Sequence, residues 1–475
     1  MSKIKSIFMN MSWLMASQII TSVLAFIWTI LIARYLGVSD YGVFGFAISF
    51  TGIFVVICDC GTTLHIVRAV ATDYDVAKDY LGNVLPLKFI LSFVYFAFIF
   101  VLLVILNFSG LAIFITLLYA IETAIKNFND LFYGVFQAHE KGKYQAMSSI
   151  LSSVLSFILI LSAIYFDTGL FGITIAYLVS YFMSFLYSAY ILVTRIVVPK
   201  IQFDFKFWKQ LLIWGAPFAL TSIFYTVYYY MDIVMLTKMV GDFATGIYNA
   251  SYKLISVLAL FYGIYTAVIY PVMSKQYNSE ASLLGASFEK SIKYLSFITI
   301  PICVCCLIYS GDIIDFIYGS QYDQAGSVLK ILIWTVCFLF INGAASTALN
   351  ASHKEVSITK IYFVAAVFNI ALNFFLIPQY SYIGDADSTV LCEILVFALA
   401  LYSLKGVGIV PSRHLTFDCI KIIVSSCILG VILFVLDLNM WVAIPVGIVI
   451  YLILLYVTRA FDDGDIYIIK EIIGR

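Results

Sequence analysis

Fourteen stretches of about 20 mostly apolar residues follow one another along this chain, the length an α-helix needs to cross a bilayer. They centre on 12–35, 42–66, 82–107, 111–137, 145–166, 168–194, 210–236, 244–272, 291–310, 324–349, 356–379, 382–404, 415–436 and 439–458. So many apolar runs in 475 residues leave a soluble fold no way to hide its surface. Composition agrees: 63% of residues are apolar and 11% charged, with a mean hydropathy of +1.03, against roughly 25% charged in soluble proteins. Soluble enzymes, nucleic-acid binders and disordered regulators are excluded. The expected fold is an all-α polytopic membrane protein with about 14 transmembrane helices. The first stretch, preceded by Lys3 and Lys5, is too long for a cleaved signal peptide and is expected to be retained.

Basic residues orient the spans. With the N-terminus inside, 21 of the 27 Lys and Arg residues fall at cytoplasmic ends and loops, from Lys3 and Lys5 to Lys470 and Arg475. Only Arg34 and Lys238 fall at outer edges, which follows the positive-inside rule. An even span count then puts both termini in the cytoplasm, and the setting is the cell (cytoplasmic) membrane. Outer loops are expected to be short, the longest from about Gly311 to Asp323. A membrane enzyme acting on glycans usually needs a larger outer loop, so transport is favoured over catalysis.

The chain is internally duplicated. Arg34-Tyr-Leu-Gly37 and Gly42-Val-Phe44 match Lys238-Met-Val-Gly241 and Gly246-Ile-Tyr248 at an offset of 204 residues. A later echo aligns Gln137-Ala138-His-Glu-Lys141 with Asn350-Ala351-Ser-His-Lys354. Each unit holds six spans, so the copies run parallel, a transporter signature. The expected division is an N-lobe at 1–196, a cytoplasmic linker at 197–209, a C-lobe at 210–404, and two extra helices with a tail at 405–475. A pseudo-two-fold axis along the membrane normal would relate the lobes.

Charges inside the spans mark candidate functional positions, because an ionised side chain at the bilayer centre costs about 2.5–3.5 kcal/mol. The carboxylates are Asp59, Glu122, Asp130 and Asp232, with Glu393 further on; the ammonium groups are Lys88, Lys126, Lys253 and Lys330. Glu122, Lys126 and Asp130 stack on one helical face. They read either as a self-neutralising ladder or as a stripe whose lysine meets an anion. Thr221, Tyr225, Tyr228 or Tyr229, and Asp232 form a polar stripe, as do Gln18, Ser22 and Thr29; cavity wall and interhelical hydrogen bonding are both open readings. Lys253 has no acidic neighbour one turn away and needs a carboxylate from another helix or a bound anion. Lys88 and Lys330 lie near span ends and can snorkel. Prolines 86, 217, 271, 301 and 378 are candidate bend points. The nine cysteines read as small buried apolar groups, and neither metal site nor cofactor is expected. No Walker-type loop is present, so energy would come from an ion gradient, the membrane potential or consumption of the product.

Several blocks resemble one family. Tyr35-Leu-Gly37 with Gly42-Val-Phe44, then Asp59-Cys-Gly61 ahead of Arg68, resembles the opening of Wzx-type oligosaccharide flippases. So do Gly215-Ala-Pro217, Met231-Asp232-Ile-Val-Met-Leu236 and Gly246-Ile-Tyr248-Asn-Ala250. Tyr318-Gly319-Ser-Gln-Tyr322 and Leu349-Asn-Ala351 follow, then Ile377-Pro378 with Ile383-Gly384. The family belongs to the multidrug/oligosaccharidyl-lipid/polysaccharide (MOP) superfamily. The resemblance implies two six-helix lobes around an alternately opening cavity. Its implied cargo is a polyprenyl-phosphate- or diphosphate-linked oligosaccharide, with phosphates held by cavity cations: Lys126 and Lys253 first, then Lys88, Lys330, Arg34 and Lys238. Partners are then the lipid-linked oligosaccharide, membrane lipids and H+ or Na+ as coupling ion, with Asp59, Glu122, Asp130 and Asp232 as coupling carboxylates. Asp385 and Asp387 depart from the family pattern and are expected to put negative charge at the outer mouth. The alternative of the same fold is a multidrug antiporter exporting cations.

Overall fold

A computed structural model describes residues 3–279 and 281–461. Lys470, Arg475 and the rest of the tail from 462 lie outside the described residues, as do the side chains of Lys3 and Lys5. Among the described residues there is no strand. The helices are α1 (Lys3–Phe54), α2 (Val56–Asp59), α3 (Thr62–Thr72), α4 (Ala77–Ile105), α5 (Gly110–Ala138), α6 (Gly142–Tyr165) and α7 (Gly169–Ile191). They continue as α8 (Phe205–Met239), α9 (Asp242–Ser279), α10 (Ala281–Tyr318), α11 (Ala325–Ala351), α12 (Glu355–Lys405), α13 (Arg413–Leu436) and α14 (Met440–Val457).

The fourteen expected spans map onto these helices. The first two share α1, broken at Gly37 (φ 73°, ψ 176°), with α2 and α3 completing the second. The eleventh and twelfth share α12, broken at Ser381 (φ 54°, ψ −135°). The turn after Ser381 is tight: a Cβ on Gly384 would lie 2.4 Å from the Leu376 carbonyl oxygen. Side-chain oxygens satisfy the first N–H groups at several starts. Ser109 accepts from Ala112 N at 3.2 Å, Asp204 from Lys206 N at 2.9 Å, Ser412 from Leu415 N at 3.2 Å, and Asn439 from Trp441 N at 3.0 Å.

One expectation needs correcting. The segment from Gly311 is no outer loop, because α10 runs on to Tyr318 and a short 3₁₀ turn at Ser320–Tyr322 leads to α11. Tyr318 and Tyr322 are buried, their rings 5.3 Å apart, and that burial holds the segment in the fold. Pro217 leaves its helix unbroken, since α8 is continuous through it. A proline costs a helix one hydrogen bond and crowds the turn before it; the break near this level instead lies in the second span, at Cys60 (φ 46°) and Gly61 (φ 75°).

The chain divides into two compact units, Met1–Gly246 and Ile247–Arg475. In the first, one core cluster gathers Ile66, Val70, Leu81, Val84, Phe132, Val135 and Phe136 from α3, α4 and α5, with Trp208 and Leu211 of α8. The segment before α8 is strapped along α4. Lys200 N donates to Lys78 O at 3.3 Å, Gln202 N to Gly82 O at 3.0 Å, and the Trp208 indole to Asn83 O at 2.9 Å. Between α6 and α7, Ser148 Oγ lies 2.8 Å from Ser184 Oγ and 2.7 Å from Ser188 Oγ. Small hydroxyls of this kind let two helices approach closely in lipid. In the second unit, α10, α11 and α12 pack in series and α13 lies against α10. Tyr248 and Thr389 bridge α9 and α12 at 2.9 Å.

The duplication is visible in the backbone. Gly37 and Gly241, equivalent at the offset of 204, both have positive φ, 73° and 119°, where only glycine avoids a Cβ clash. In the later echo, the paired positions Glu140 and His353 have φ 55° and 56°. Both end their helix with the same return, Lys141 N to Phe136 O at 2.8 Å and Lys354 N to Leu349 O at 3.0 Å. The repeated glycines also pack reciprocally inside the first unit. A Cβ on Gly42 would lie 1.9 Å from Asp242 O, and one on Gly246 would lie 1.9 Å from Val38 O. Val38 and Asp242 are themselves equivalent at that offset.

Candidate functional site

The break at Cys60-Gly61 builds the first constellation. It ends α2 with Asp59 aimed at the start of α3, where Asp59 Oδ1 accepts the Thr63 N–H at 3.2 Å and the Thr63 hydroxyl. The same oxygen takes the ammonium of Lys88 on α4 at 2.6 Å. Lys88 also donates to the Asn127 side-chain carbonyl on α5. Lys88 is fully buried, so the expected snorkelling is corrected: the side chain turns inward because a carboxylate and an amide wait there. Asn127 and Thr63 were not singled out in the sequence. A threonine four residues after an aspartate at a glycine break is the usable signal, and nothing local points to Asn127.

Lys126, one residue earlier on α5, has different surroundings. Its ammonium sits 5.8 Å from the Tyr181 ring centroid, within electrostatic reach of Glu122, Asp130 and Tyr230. None of these carboxylates is within ion-pair distance of it, so the expected ladder along Glu122, Lys126 and Asp130 does not close. Glu122 is buried, and Thr123 Oγ1 lies 3.4 Å from its carboxylate. Lys126 and Asp130 keep exposed side chains although protein groups from α5, α7 and α8 surround them. They therefore line a crevice in the first unit. Its aromatic side holds Tyr181, and beyond it Tyr177, whose ring lies 6.1 Å from Trp28 and 5.9 Å from Tyr119. Tyr230 of α8 reaches this region by lying over Gly52, where a Cβ would come within 2.9 Å of its ring. A cation held by π-faces rather than by a carboxylate keeps its charge for an incoming anion.

The remaining candidates are dispersed. Asp232 is buried on α8 (4% exposed) and Arg34 is exposed beside the Gly37 break. Lys238 donates to Leu106 O at 2.6 Å. In the second unit Lys253 is half-buried on α9, and its ammonium makes no hydrogen bond or ion pair among the described residues. Lys330 is exposed in the second turn of α11. Glu393 is buried and accepts from Asn342 Nδ2 at 2.7 Å. Asp385 corrects the expected acidic mouth: it is fully buried where α12 packs, and only Asp387 is partly accessible. All nine cysteines are free.

Residues 7–276, more than half of the chain, match the family model described as polysaccharide biosynthesis protein. This chain belongs to the polysaccharide biosynthesis protein family. Residues 217–375 also match the MatE family, and the two matches place this family member in the MOP superfamily, bearing out the Wzx-type resemblance. It is 22% identical over 406 residues to the capsular polysaccharide biosynthesis protein CapF of Staphylococcus aureus, covering 84% of this chain and 99% of CapF. It is 24% identical over 398 residues to a Shigella flexneri protein with the provisional name O-antigen transporter, covering 81% and 94%. Against an uncharacterised membrane protein of Methanocaldococcus jannaschii, 24% identical over 293 residues, it spans 57% of the relative's length. Among solved structures, the lipid II flippase MurJ in an inward closed conformation superimposes with a TM-score of 0.78 at 18% identity, over 92% of this chain and 97% of MurJ. That likeness shows the fold.

Proposed function

We propose that this chain is a flippase that carries a polyprenyl-phosphate- or diphosphate-linked oligosaccharide from the cytoplasmic to the outer leaflet by alternating access, for cell-surface polysaccharide biosynthesis. It is a transporter and not an enzyme. The observation that carries the reading is Lys126: an ammonium in a membrane-embedded crevice, faced by tyrosine rings and unclaimed by either nearby carboxylate. A phosphate crossing a low-dielectric region needs fixed donors in place of its water. Family membership and the names CapF, O-antigen transporter and lipid II flippase support a glycan carried on lipid as the cargo. Lys253 on α9, which is not the repeat equivalent of Lys126, is the candidate cation of the second unit. Lys88 serves the fold, since Asp59 and Asn127 already use its protons.

Reconstituted in vesicles with a fluorescent lipid-linked oligosaccharide, Lys126→Gln should slow flipping by about 10–100-fold, the worth of a hydrogen bond to a charged group. Lys126→Arg should keep much of the rate. A normally inserted Lys126→Gln, Lys253→Gln chain that flips at the full rate would return both lysines to structural roles.

Coupling to H+ or Na+ would fall to Asp130, the carboxylate of the crevice, or to the buried Glu122 one helical turn before Lys126; Asp59 is occupied by Lys88. Amide replacements at both that leave flipping and its ion dependence intact would remove that assignment. The MatE match of residues 217–375 favours multidrug export as the second reading, but a cation cargo gains nothing from an ammonium in the crevice. The orientation is the one given by the basic residues, with both termini cytoplasmic. A cysteine placed at Ser109 should react with an impermeant thiol reagent in intact cells, and one at Tyr144 should not. The reverse pattern would invert the topology.

A further inference from the structure

A cavity of about 700 Å³ lies in the second unit between the start of α12 and its far end. Lys354, Lys360 and Lys405 line it, with Ser357 and Ser403 between them. No carboxylate is among its lining residues, and none of the three ammonium groups makes an ion pair among the described residues. Glu355, the acidic residue next in sequence, points about half a turn away from Ser357 and Val364. Deeper along the helices the wall turns apolar, with Val364 and Leu399. Three like charges around one cavity repel each other, and an anion between them removes that repulsion. The combination of a basic rim, hydroxyl donors and an apolar wall at the end of two membrane helices matches one ligand chemistry, a phosphate carried on a lipid.

We propose that this cavity is a binding site for the phosphate headgroup of an anionic lipid, whose hydrocarbon chain runs along Val364 and Leu399. Its volume lies within the range of pockets that enclose a small headgroup. Under the orientation proposed above, the basic-residue bias puts this end of the bundle in the cytoplasmic leaflet. The occupant is a bilayer lipid such as phosphatidylglycerol, or the polyprenyl phosphate carrier before it is loaded.

The test is lipid retention on the purified full-length chain by native mass spectrometry, with phosphatidylglycerol, zwitterionic phosphatidylethanolamine and polyprenyl phosphate offered in turn. Phosphatidylglycerol should be held in preference to phosphatidylethanolamine. Single Lys→Gln changes at 354, 360 and 405 should each weaken retention about five-fold, and the triple change roughly a hundred-fold. A triple Lys→Arg chain should retain the lipid, which separates lost charge from lost fold. Displacement by polyprenyl phosphate at matching concentration would assign the site to the carrier; no displacement would assign it to the bilayer lipid. Full retention by the triple Lys→Gln chain would overturn the proposal, as would inorganic phosphate competing as well as the lipids do. The readout is binding and not flipping, so a failure here leaves the cargo assignment untouched.

Discussion

Replacing Lys88 by methionine is expected to destabilise the protein by about 3–5 kcal/mol, the cost of leaving one partner of a buried ion pair alone. Lys88 is fully buried, while the Asp59 side chain keeps 23% of its surface, so the lower end of that range applies. Removing the ammonium strands the carboxylate that holds the start of α3, and the Asn127 carbonyl loses its donor too. The double change Lys88→Met, Asp59→Asn should recover much of the loss. An amide can still accept from Thr63, and no net charge remains to be desolvated. Unfolding of the solubilised chain in denaturant measures both. A single Lys88→Met chain within 1 kcal/mol of the parent would show that the pair is not closed.

Valine at Gly42 should have a comparable effect for a steric reason. The atoms that a Cβ would strike are the Asp242 carbonyl oxygen at 1.9 Å and the Gly246 nitrogen at 2.9 Å, both main chain. A side chain could rotate away, but a helix start has to move bodily. The cost should therefore reach or pass about 3 kcal/mol, the upper end for overpacked sites. Gly246→Val should behave alike, because its Cβ would meet Val38 O at 1.9 Å. Gly110→Ala is the control, with nothing within 4 Å of the added carbon, and should stay within about 0.5 kcal/mol. Thermal unfolding of the three chains would show it. Equal melting of Gly42→Val and the parent would mean that the two segments do not cross there.

How much could be read beforehand differs between backbone and charge. The span count needs only the length and apolar content of each run, and α4 to α11, α13 and α14 each take up one expected span. The duplication, seen as paired motifs such as Gly37 with Gly241, extends to their φ values, because a turn at positive φ is a local backbone demand. Gly311, Asp312 and Asp315 make the end of α10 look like a loop in the sequence. Burial of Tyr318 and Tyr322 keeps that segment in the fold.

The charged residues behaved differently. Glu122, Lys126 and Asp130 share a helical face by spacing alone, yet no ion pair forms along it. Lys88 lies near enough to a span end to snorkel toward water and instead meets Asp59, 29 residues away, and Asn127, 39 residues away. Asp385 was placed at a mouth and is buried. Sequence by itself determined what each segment must do against the bilayer: span it, break at a glycine, or keep its lysines at one end. Those demands are local, since apolar length and backbone sterics act within a few residues. Only the tertiary structure decided which charge inside a span found a partner and which did not. That depends on the rotation of each helix about its axis, and in uniformly apolar helices such as α4 the sequence carries little periodicity to set it.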